Sequence, residues 1–303
     1  MPIFKVIVLA IIQGFAELLP VSSSAHVVVA EKLMGLDPSS PQMTLLLVML
    51  HTGTMFAVIA FFWKTWREAY FSSAKVFKRF AVLAIWASAI TLVAGEAIKI
   101  VIEKTLFRGA EKAEIEQLFS HLELIAPALA AAGLLILIAG LVERRQMKDP
   151  TLVFPSGQMP ADAEGLVTMR QARWMGLLQG LVLPFRGFSR SGSTISAGML
   201  AGATKQGAER FSFALAVILT PPVVGLELMR LLKSAHSAAA AGTPIDLQAA
   251  VSSCLLGLVF SFFAGLLALK WLSSWLEKGR WYLFGIYCLP ASVVVFWLHV
   301  RGF

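Results

Sequence analysis

The sequence predicts an all-α polytopic membrane protein, with six transmembrane helices and two re-entrant helix–loop–helix pairs that form an inverted repeat. Three observations predict it: the composition, the lengths of the apolar runs, and a short motif that occurs twice. Hydrophobic residues make up 57% of the 303 residues and charged residues only 15%, against about 25% charged in a typical soluble domain. A soluble chain of this length needs more polar side chains to cover its surface, and the apolar content excludes intrinsic disorder.

The net charge of +8 comes from 26 Lys and Arg against 18 Asp and Glu. In a membrane protein such an excess is typical of basic cytoplasmic loops, so no nucleic-acid partner is expected. Cys254 and Cys288 both lie in apolar runs. They are interpreted as small buried hydrophobic residues rather than as a disulfide, and no zinc or haem spacing is present.

Six apolar runs reach the length of about 20 residues that a transmembrane helix requires. Four contain no Asp, Glu, Lys or Arg, and the other two each contain one Glu near an end, Glu96 and Glu227. The predicted spans are 43–63, 80–98, 124–142, 211–229, 247–269 and 281–300.

Four further runs are too short to cross a membrane and occur as two pairs. Runs 6–16 and 18–30 flank Glu17, and runs 174–185 and 191–204 flank Arg186 and Arg190. Each pair has a proline and a serine cluster at its middle. One interrupted span per pair is an alternative, but the run lengths favour two half-helices that enter the membrane and return. Broken backbone at membrane depth requires protein or a water-filled cavity around it.

Loop charges predict the orientation. Three basic segments are interpreted as cytoplasmic: 64–80, 143–173 and 270–280. Two other segments are interpreted as external: 99–123 and 230–246. With six spans, this alternation requires the second short pair to enter and leave from the cytoplasm. The first pair then enters and leaves from outside, and both termini lie outside.

The two short pairs share a motif, which indicates an internal repeat. Gln13-Gly14 precedes Leu19-Pro20 and a serine cluster, as Gln179-Gly180 precedes Leu183-Pro184 and a second cluster. The predicted units are a first repeat at 1–150 (pair 3–35 plus three spans), a cytoplasmic linker at 151–172, and a second repeat at 173–303 (pair 173–204 plus three spans), all in one membrane domain. Inverted repeats with broken helices are a transporter architecture, so the repeat predicts a site between the two breaks without deciding between transport and catalysis.

The first break region, residues 13–26 (the first tip), carries a carboxylate, an imidazole and hydroxyls. Gln13 and Glu17 are four residues apart and share a helix face. Ser22, Ser23 and Ser24 follow, and His26 lies one helical turn after Ser23. A carboxylate at membrane depth is costly and predicts a functional site. The alternative is that the serines only cap a helix and Glu17 only pairs with a basic residue.

The second break region, residues 186–194 (the second tip), resembles an anion-binding nest. Its members are Arg186, Ser189, Arg190, Ser191, Gly192, Ser193 and Thr194. Hydroxyls and backbone amides donate to an anion, and Arg binds phosphate oxygens in pairs. The alternative is that Arg190 simply pairs with Glu17. The two tips together supply the groups needed to bind and hydrolyse a phosphate. His51, Thr52 and Thr54, in the first full span, either support this site or only pack and bond within their helix.

These motifs resemble those of the bacterial undecaprenyl-diphosphate phosphatase family, also called BacA or UppP. The family's first motif has the form E-G-x-x-E-x-x-P-V-S-S-T-G-H, and residues 13–26 read QGFAELLPVSSSAH. The second has the form P-G-x-S-R-S-G-x-T, and residues 184–194 read PFRGFSRSGST. The resemblance extends over nearly the whole chain, including RFSF at 210–213.

The resemblance implies six spans with two inverted re-entrant pairs in the bacterial cytoplasmic (inner) membrane. It also implies hydrolysis of undecaprenyl diphosphate to undecaprenyl phosphate and phosphate at the outer (periplasmic) face. This reaction recycles the lipid carrier for peptidoglycan synthesis and confers bacitracin resistance. The implied partners are the polyprenyl diphosphate and membrane lipids, and a homodimer is left open.

The matching positions imply roles for individual residues. The implied catalytic residues are Glu17, Ser23, His26 and Arg190. The implied phosphate-binding residues are Ser22, Ser24, Ser189, Ser191, Gly192, Thr194 and Arg186. Ser23 attacks with His26 or Glu17 as base, or water attacks with the same bases. The implied cofactor is a divalent cation, Mg²⁺ or Ca²⁺, at Glu17 and Gln13.

Some positions depart from the family motifs. Gln13 replaces a Glu, and a neutral amide can bind a cation but contributes no charge. Ser24 replaces Thr and Ala25 replaces Gly. The second motif has one extra residue, so Arg186 either adds a phosphate contact or reshapes the loop. These departures leave open a phosphatase for another lipid phosphate. The inverted repeat leaves open a second alternative, a polyprenyl-phosphate transporter or flippase.

Overall fold

The computed structural model describes residues 1–38, 40–106, 121–148, 166–240, 246–276 and 280–303. Within these ranges the chain forms ten α-helices and no strand. The helices are α1 (Ile3–Leu18), α2 (Ser23–Leu33), α3 (Pro41–Tyr70), α4 (Ala74–Leu106), α5 (Leu122–Lys148), α6 (Met169–Val182), α7 (Arg190–Leu200), α8 (Lys205–Ala240), α9 (Leu247–Leu276) and α10 (Tyr282–Val300). Most of the predicted linker at 151–172 and of the external loop at 99–123 lies outside the described residues.

Six of these helices are long and apolar enough to cross a membrane, which confirms the six predicted spans. They are α3, α4, α5, α8, α9 and α10. Most extend beyond the apolar runs. For example, α3 continues to Tyr70 and α4 begins at Ala74, so the basic segment 64–80 is almost entirely helical. Lys and Arg are good helix formers, so a helix does not end where its apolar run ends.

The other four helices are short and form two helix–break–helix pairs. α1 and α2 have 16 and 11 residues, and α6 and α7 have 14 and 11. At about 1.5 Å per residue, none matches the roughly 30 Å hydrocarbon core. The first break follows the end of α1 at Leu18, just before Pro20. Glu17 lies inside α1, because Glu is a good helix former whereas Pro breaks a helix.

Each short pair packs against a long helix of the other half of the chain. α1 packs against α9, and α6 packs against α4. The repeated Gln-Gly dipeptides explain both crossings: a Cβ on Gly14 would lie 2.4 Å from the Cβ of Ala264, and one on Gly180 would lie 2.4 Å from the carbonyl oxygen of Thr91. Glycine at these positions lets the helix backbones approach closely.

Candidate active site

The first tip turns the chain so that Ser23 faces back toward Glu17. Ser22 has a left-handed backbone (φ 66°), rare for a residue other than glycine, and its hydroxyl caps α2 by accepting from the Ala25 amide at 3.4 Å. Ser23 follows as the first residue of α2. Its hydroxyl donates to Oε2 of Glu17 at 2.5 Å, and this carboxylate is 6% exposed. Strained backbone of this kind is typical of functional sites.

The second tip brings Arg190 to the same carboxylate. The Ser189 hydroxyl caps α7 by accepting from the Gly192 amide at 3.2 Å, and Arg190 is the first residue of that helix. Its Nη2 donates to Oε1 of Glu17 at 2.6 Å. The Gly187 amide, at φ 100°, donates to the Ser24 hydroxyl at 3.4 Å. The two tips therefore form one cluster, and the predicted Arg190–Glu17 pair is present.

Glu17 accepts from four side chains. Besides Ser23 and Arg190, the Gln13 amide donates to Oε2 at 3.0 Å, and Nε2 of His51 lies 3.2 Å from Oε2. Burial raises the pKa of Glu17, but the charges of His51 and Arg190 and the hydrogen bonds outweigh it and hold the pKa well below its usual range. Glu17 is therefore an ionised, oriented carboxylate.

This cluster lies at the polar end of a cavity of about 520 Å³, called the cavity below. The polar end is lined by Glu17, Ser22, Ser23, Ser24, His51, Arg186, Ser189, Arg190 and Ser191. The remaining wall is mostly apolar. Four of its residues, Leu92, Leu183, Val223 and Leu226, are 44–60% exposed, so the apolar wall is continuous with the outer surface of the helices. The cavity suits an amphiphile with an anionic head and an apolar tail.

Arg186 places a second guanidinium at the polar end. It faces the carboxylate of Glu31 on α2, which is 1% exposed. Burial raises the pKa of Glu31 to about 7, although the charge of Arg186 opposes this shift. Arg186 lines the cavity, which agrees with a contact to an anion there.

His26, a predicted catalytic residue, is directed toward a different helix. Its Nδ1 donates to the Ser22 carbonyl oxygen at 2.8 Å, and its Nε2 accepts from the Tyr287 hydroxyl on α10 at 2.7 Å. The two rings are stacked, with centroids 5.8 Å apart. His26 is not among the residues that line the cavity. Its role as a base stays a prediction.

Thr194 and Gly192, predicted phosphate ligands, lie behind the cavity wall. The Thr194 hydroxyl lies 2.9 Å from the Arg190 carbonyl oxygen and 2.5 Å from the Ser212 hydroxyl. A Cβ on Gly192 would lie 2.6 Å from Ile136 Cδ1 and 3.1 Å from Pro20 Cβ, so glycine allows the two tips to approach each other. Neither residue lines the cavity. In this structure both support the tip.

His51 is the site residue that the motifs do not contain. It belongs to α3, and its imidazole, not that of His26, contacts Glu17. The available sequence signal was a polar side chain inside an apolar span, which is equally typical of a side chain bonded to its own helix. Tyr287 and Ser212 were not predicted either.

Comparison with known proteins finds similarity along nearly the whole chain. The family model described as bacitracin resistance protein BacA matches residues 6–294. The chain belongs to the BacA family. It is 52% identical to undecaprenyl-diphosphatase 2 of Acinetobacter baylyi over 295 residues, covering 97% of each protein. It is 36% identical to undecaprenyl-diphosphatase of Desulfatibacillum aliphaticivorans over 306 residues, covering 96% of this chain and 97% of the relative.

The resemblance to this family implied a divalent cation bound by Glu17 and Gln13, and the geometry of these two residues tests whether they can hold one. Both Glu17 oxygens already accept from protein donors, and the Arg190 guanidinium lies 2.6 Å from one of them. Gln13 offers a buried Oε1 that has no hydrogen-bond partner, a single neutral ligand atom. Among the described residues there is no group of three or more His, Cys, Asp or Glu that could hold a metal ion. The residues therefore do not fit a cation held by the protein alone, and cation dependence stays a prediction.

Proposed function

We propose that this chain is an integral membrane undecaprenyl-diphosphatase, which hydrolyses undecaprenyl diphosphate to undecaprenyl phosphate and phosphate. Two named relatives, 52% and 36% identical over nearly their full lengths, support this assignment. The observation that carries it is the Ser23–Glu17–Arg190 cluster at the polar end of a cavity whose remaining wall is mostly apolar. The product returns the lipid carrier to peptidoglycan synthesis, and the family is associated with bacitracin resistance.

The cavity accounts for recognition of both parts of this substrate. Arg186 and Arg190 supply positive charge for a diphosphate, and Ser189 and Ser191 supply hydroxyls beside Arg190. A guanidinium has five N–H donors, so Arg190 can contact Glu17 and still bind phosphate oxygens. The apolar wall receives the first isoprene units, and the exposed end of that wall lets the rest of the chain remain in the lipid.

The first chemical step uses the hydroxyl that already donates to Glu17. Ser23 Oγ attacks the terminal phosphorus while its proton passes to Oε2 of Glu17. The bond between this phosphorus and the bridging oxygen breaks, and undecaprenyl phosphate leaves as an anion. Arg190 stabilises the charge that develops on the phosphoryl oxygens, the usual role of a positioned guanidinium in phosphoryl transfer.

The second step regenerates the serine. Glu17 returns its proton to Oγ of Ser23 as water attacks the phosphoserine and the phosphorus–Oγ bond breaks, and both hydrogens of the water leave with the phosphate product. Direct attack by water is the alternative, in which Ser23 only binds phosphate. The 2.5 Å hydrogen bond from Ser23 to Glu17 favours the serine, because it aligns a nucleophile with its base before substrate binds.

Ser23→Ala tests the proposed function and the nucleophile together. The variant is expected to release phosphate from undecaprenyl diphosphate at least about 10³-fold more slowly than wild type, since it lacks the attacking oxygen. Phosphate release by purified protein in detergent measures this, and mass spectrometry of acid-quenched wild-type protein should find a phosphate on Ser23. Ser24→Ala is the matched control, with a loss of less than about tenfold expected. A wild-type protein that releases no phosphate contradicts the function. A Ser23→Ala variant that remains active contradicts the serine mechanism.

We also infer that the two short pairs are re-entrant, that the two halves are inverted repeats, and that the active site opens to the periplasmic face. The reciprocal packing of α1 on α9 and of α6 on α4 supports the repeat, because each pair contacts the corresponding helix of the other half. The basic segment 64–80 supports a cytoplasmic position for the α3–α4 connection.

Cysteine labelling in intact cells tests this orientation. The native Cys254 and Cys288 are buried, so a membrane-impermeant maleimide should find little background. Gln42→Cys, in the first turn of α3, is expected to react with the maleimide from outside the cell. Ser72→Cys, between α3 and α4, is expected to react only after the cells are opened. The reverse pattern would invert the proposed orientation. Both positions are exposed in the structure.

A further inference from the structure

His51 contacts the carboxylate of Glu17 from a helix that carries neither sequence motif. Its side chain is 27% exposed and lines the cavity. One ring nitrogen, Nδ1, lies 2.8 Å from the carbonyl oxygen of Leu47, one turn earlier on α3. The other, Nε2, lies 3.2 Å from Oε2 of Glu17. The ring therefore bridges its own helix and the first tip.

The hydrogen-bond partners define the protons on this ring. A carbonyl oxygen only accepts, so Nδ1 carries a hydrogen. An ionised carboxylate also only accepts, so Nε2 must carry one as well to make a favourable contact. Both nitrogens of His51 are therefore placed to donate, Nδ1 to the Leu47 carbonyl oxygen and Nε2 to Glu17.

The donors around Glu17 divide between its two oxygens. Arg190 holds Oε1, and His51 approaches Oε2, the oxygen that accepts from Ser23. With a donor on each side, the carboxylate plane is fixed and Oε2 is kept toward the serine hydroxyl. Without His51, Oε2 keeps only the neutral donors Gln13 and Ser23, so the pull of the charged Arg190 on Oε1 can rotate the carboxylate. Such a rotation lengthens the bond to Ser23.

We propose that His51 is a positioning residue, which holds Oε2 of Glu17 toward the Ser23 hydroxyl. This inference rests on the proposed function, because it concerns the base of the same reaction. It places an imidazole beside Glu17 on α3, a helix outside both sequence motifs.

The neighbouring polar residue on α3 shows what a side chain with only a helix-bonding role does. The Thr52 hydroxyl donates to the Val48 carbonyl oxygen at 2.8 Å, the same i to i−4 pattern that His51 makes through Nδ1. No other hydrogen bond of this hydroxyl is described. His51 has in addition a second nitrogen that reaches Glu17, so the two residues form a matched pair for experiment.

Two amide substitutions separate the two nitrogens of His51. The side-chain nitrogen of Asn is placed like Nδ1 and keeps the bond to Leu47, whereas that of Gln extends as far as Nε2 and can donate to Glu17. Steady-state phosphate release from undecaprenyl diphosphate is measured for purified full-length wild type, His51→Asn, His51→Gln and Thr52→Val. We expect His51→Asn to lower kcat by about 10- to 100-fold, the cost of misplacing a reacting group by about 1 Å, with KM within about threefold of wild type. We expect His51→Gln to restore kcat to within about fivefold and Thr52→Val to equal wild type.

Each other outcome overturns a defined part of the inference. Wild-type kcat in His51→Asn means that the contact with Glu17 does not position the base. Equal losses in both amide variants mean that the imidazole itself is required, and a change confined to KM means that His51 binds substrate. If His51→Asn does not fold, thermal unfolding of His51→Gln and His51→Leu is measured as well. Loss of folding in all three variants would mean that His51 has a structural role only. Absence of phosphate release by wild type refutes the proposed function instead.

Discussion

Replacement of Arg190 by Ala is expected to lower kcat/KM for phosphate release from undecaprenyl diphosphate by about 10³-fold or more. Arg190 contacts Glu17 at 2.6 Å and lines the cavity. Its loss therefore removes the cation beside the phosphoryl group and also the charged partner of Glu17, the general base. Arg190→Lys should recover only a small part of the loss, since an ammonium does not reproduce the planar pair of donors. Initial rates at subsaturating substrate measure the effect.

Arg230→Ala is the matched control for this substitution. Arg230 also pairs with a Glu that lines the cavity, Glu227 at 2.9 Å, but it is 49% exposed and lies far from the tips in sequence. Arg230 itself does not line the cavity, so activity should remain close to wild type, whereas loss of this partner of the buried Glu227 is expected to lower stability. Equal losses in Arg190→Ala and Arg230→Ala would mean that charge near the cavity, rather than the second tip, determines activity.

Glu17→Gln is expected to lower kcat by about 10² to 10⁴-fold, the range of general acid–base catalysis. The amide has almost the same shape as the carboxylate, so substrate binding should change little. It has almost no basicity, however, and it leaves Arg190 and His51 without their anion. Single-turnover phosphate release at saturating protein isolates this chemical step from substrate binding.

Glu31→Gln provides the comparison for a buried carboxylate. Glu31 is 1% exposed and faces Arg186, but it is not among the residues that line the cavity. We expect a loss of less than about tenfold, because the change affects the site only through Arg186. An unchanged kcat in Glu17→Gln would exclude this carboxylate as the base.

The sequence was sufficient for the features that depend on local pattern. Six apolar runs predicted six spans because burial in lipid requires uninterrupted apolar length. Glu17 and Arg190 were predicted as site residues because a charged side chain at membrane depth is energetically costly and therefore indicates a function. Pro20 marks the first break because a proline cannot continue the helix, and α1 ends at Leu18.

Contacts between distant helices could not be predicted in the same way. Ser23 and His26 lie one turn apart on α2, as their spacing predicted. The side chain of His26 nevertheless contacts Tyr287, 261 residues away in the chain. His51 reaches Glu17 only because α3 packs against α1. The Gln-Gly dipeptide indicated a repeat, but the close approach at Gly14 and Gly180 depends on partners that the tertiary packing supplies.

A double-mutant cycle between Glu17 and Arg190 tests the central claim, that the two tips form one catalytic site. The kcat/KM of phosphate release from undecaprenyl diphosphate is measured for wild type, Glu17→Gln, Arg190→Ala and the double variant. Residues that act as one unit are strongly non-additive, so the double variant should be within about tenfold of the slower single variant. Losses that multiply, so that the double variant shows the product of the two single losses, would show that the two tips act independently and would contradict this account.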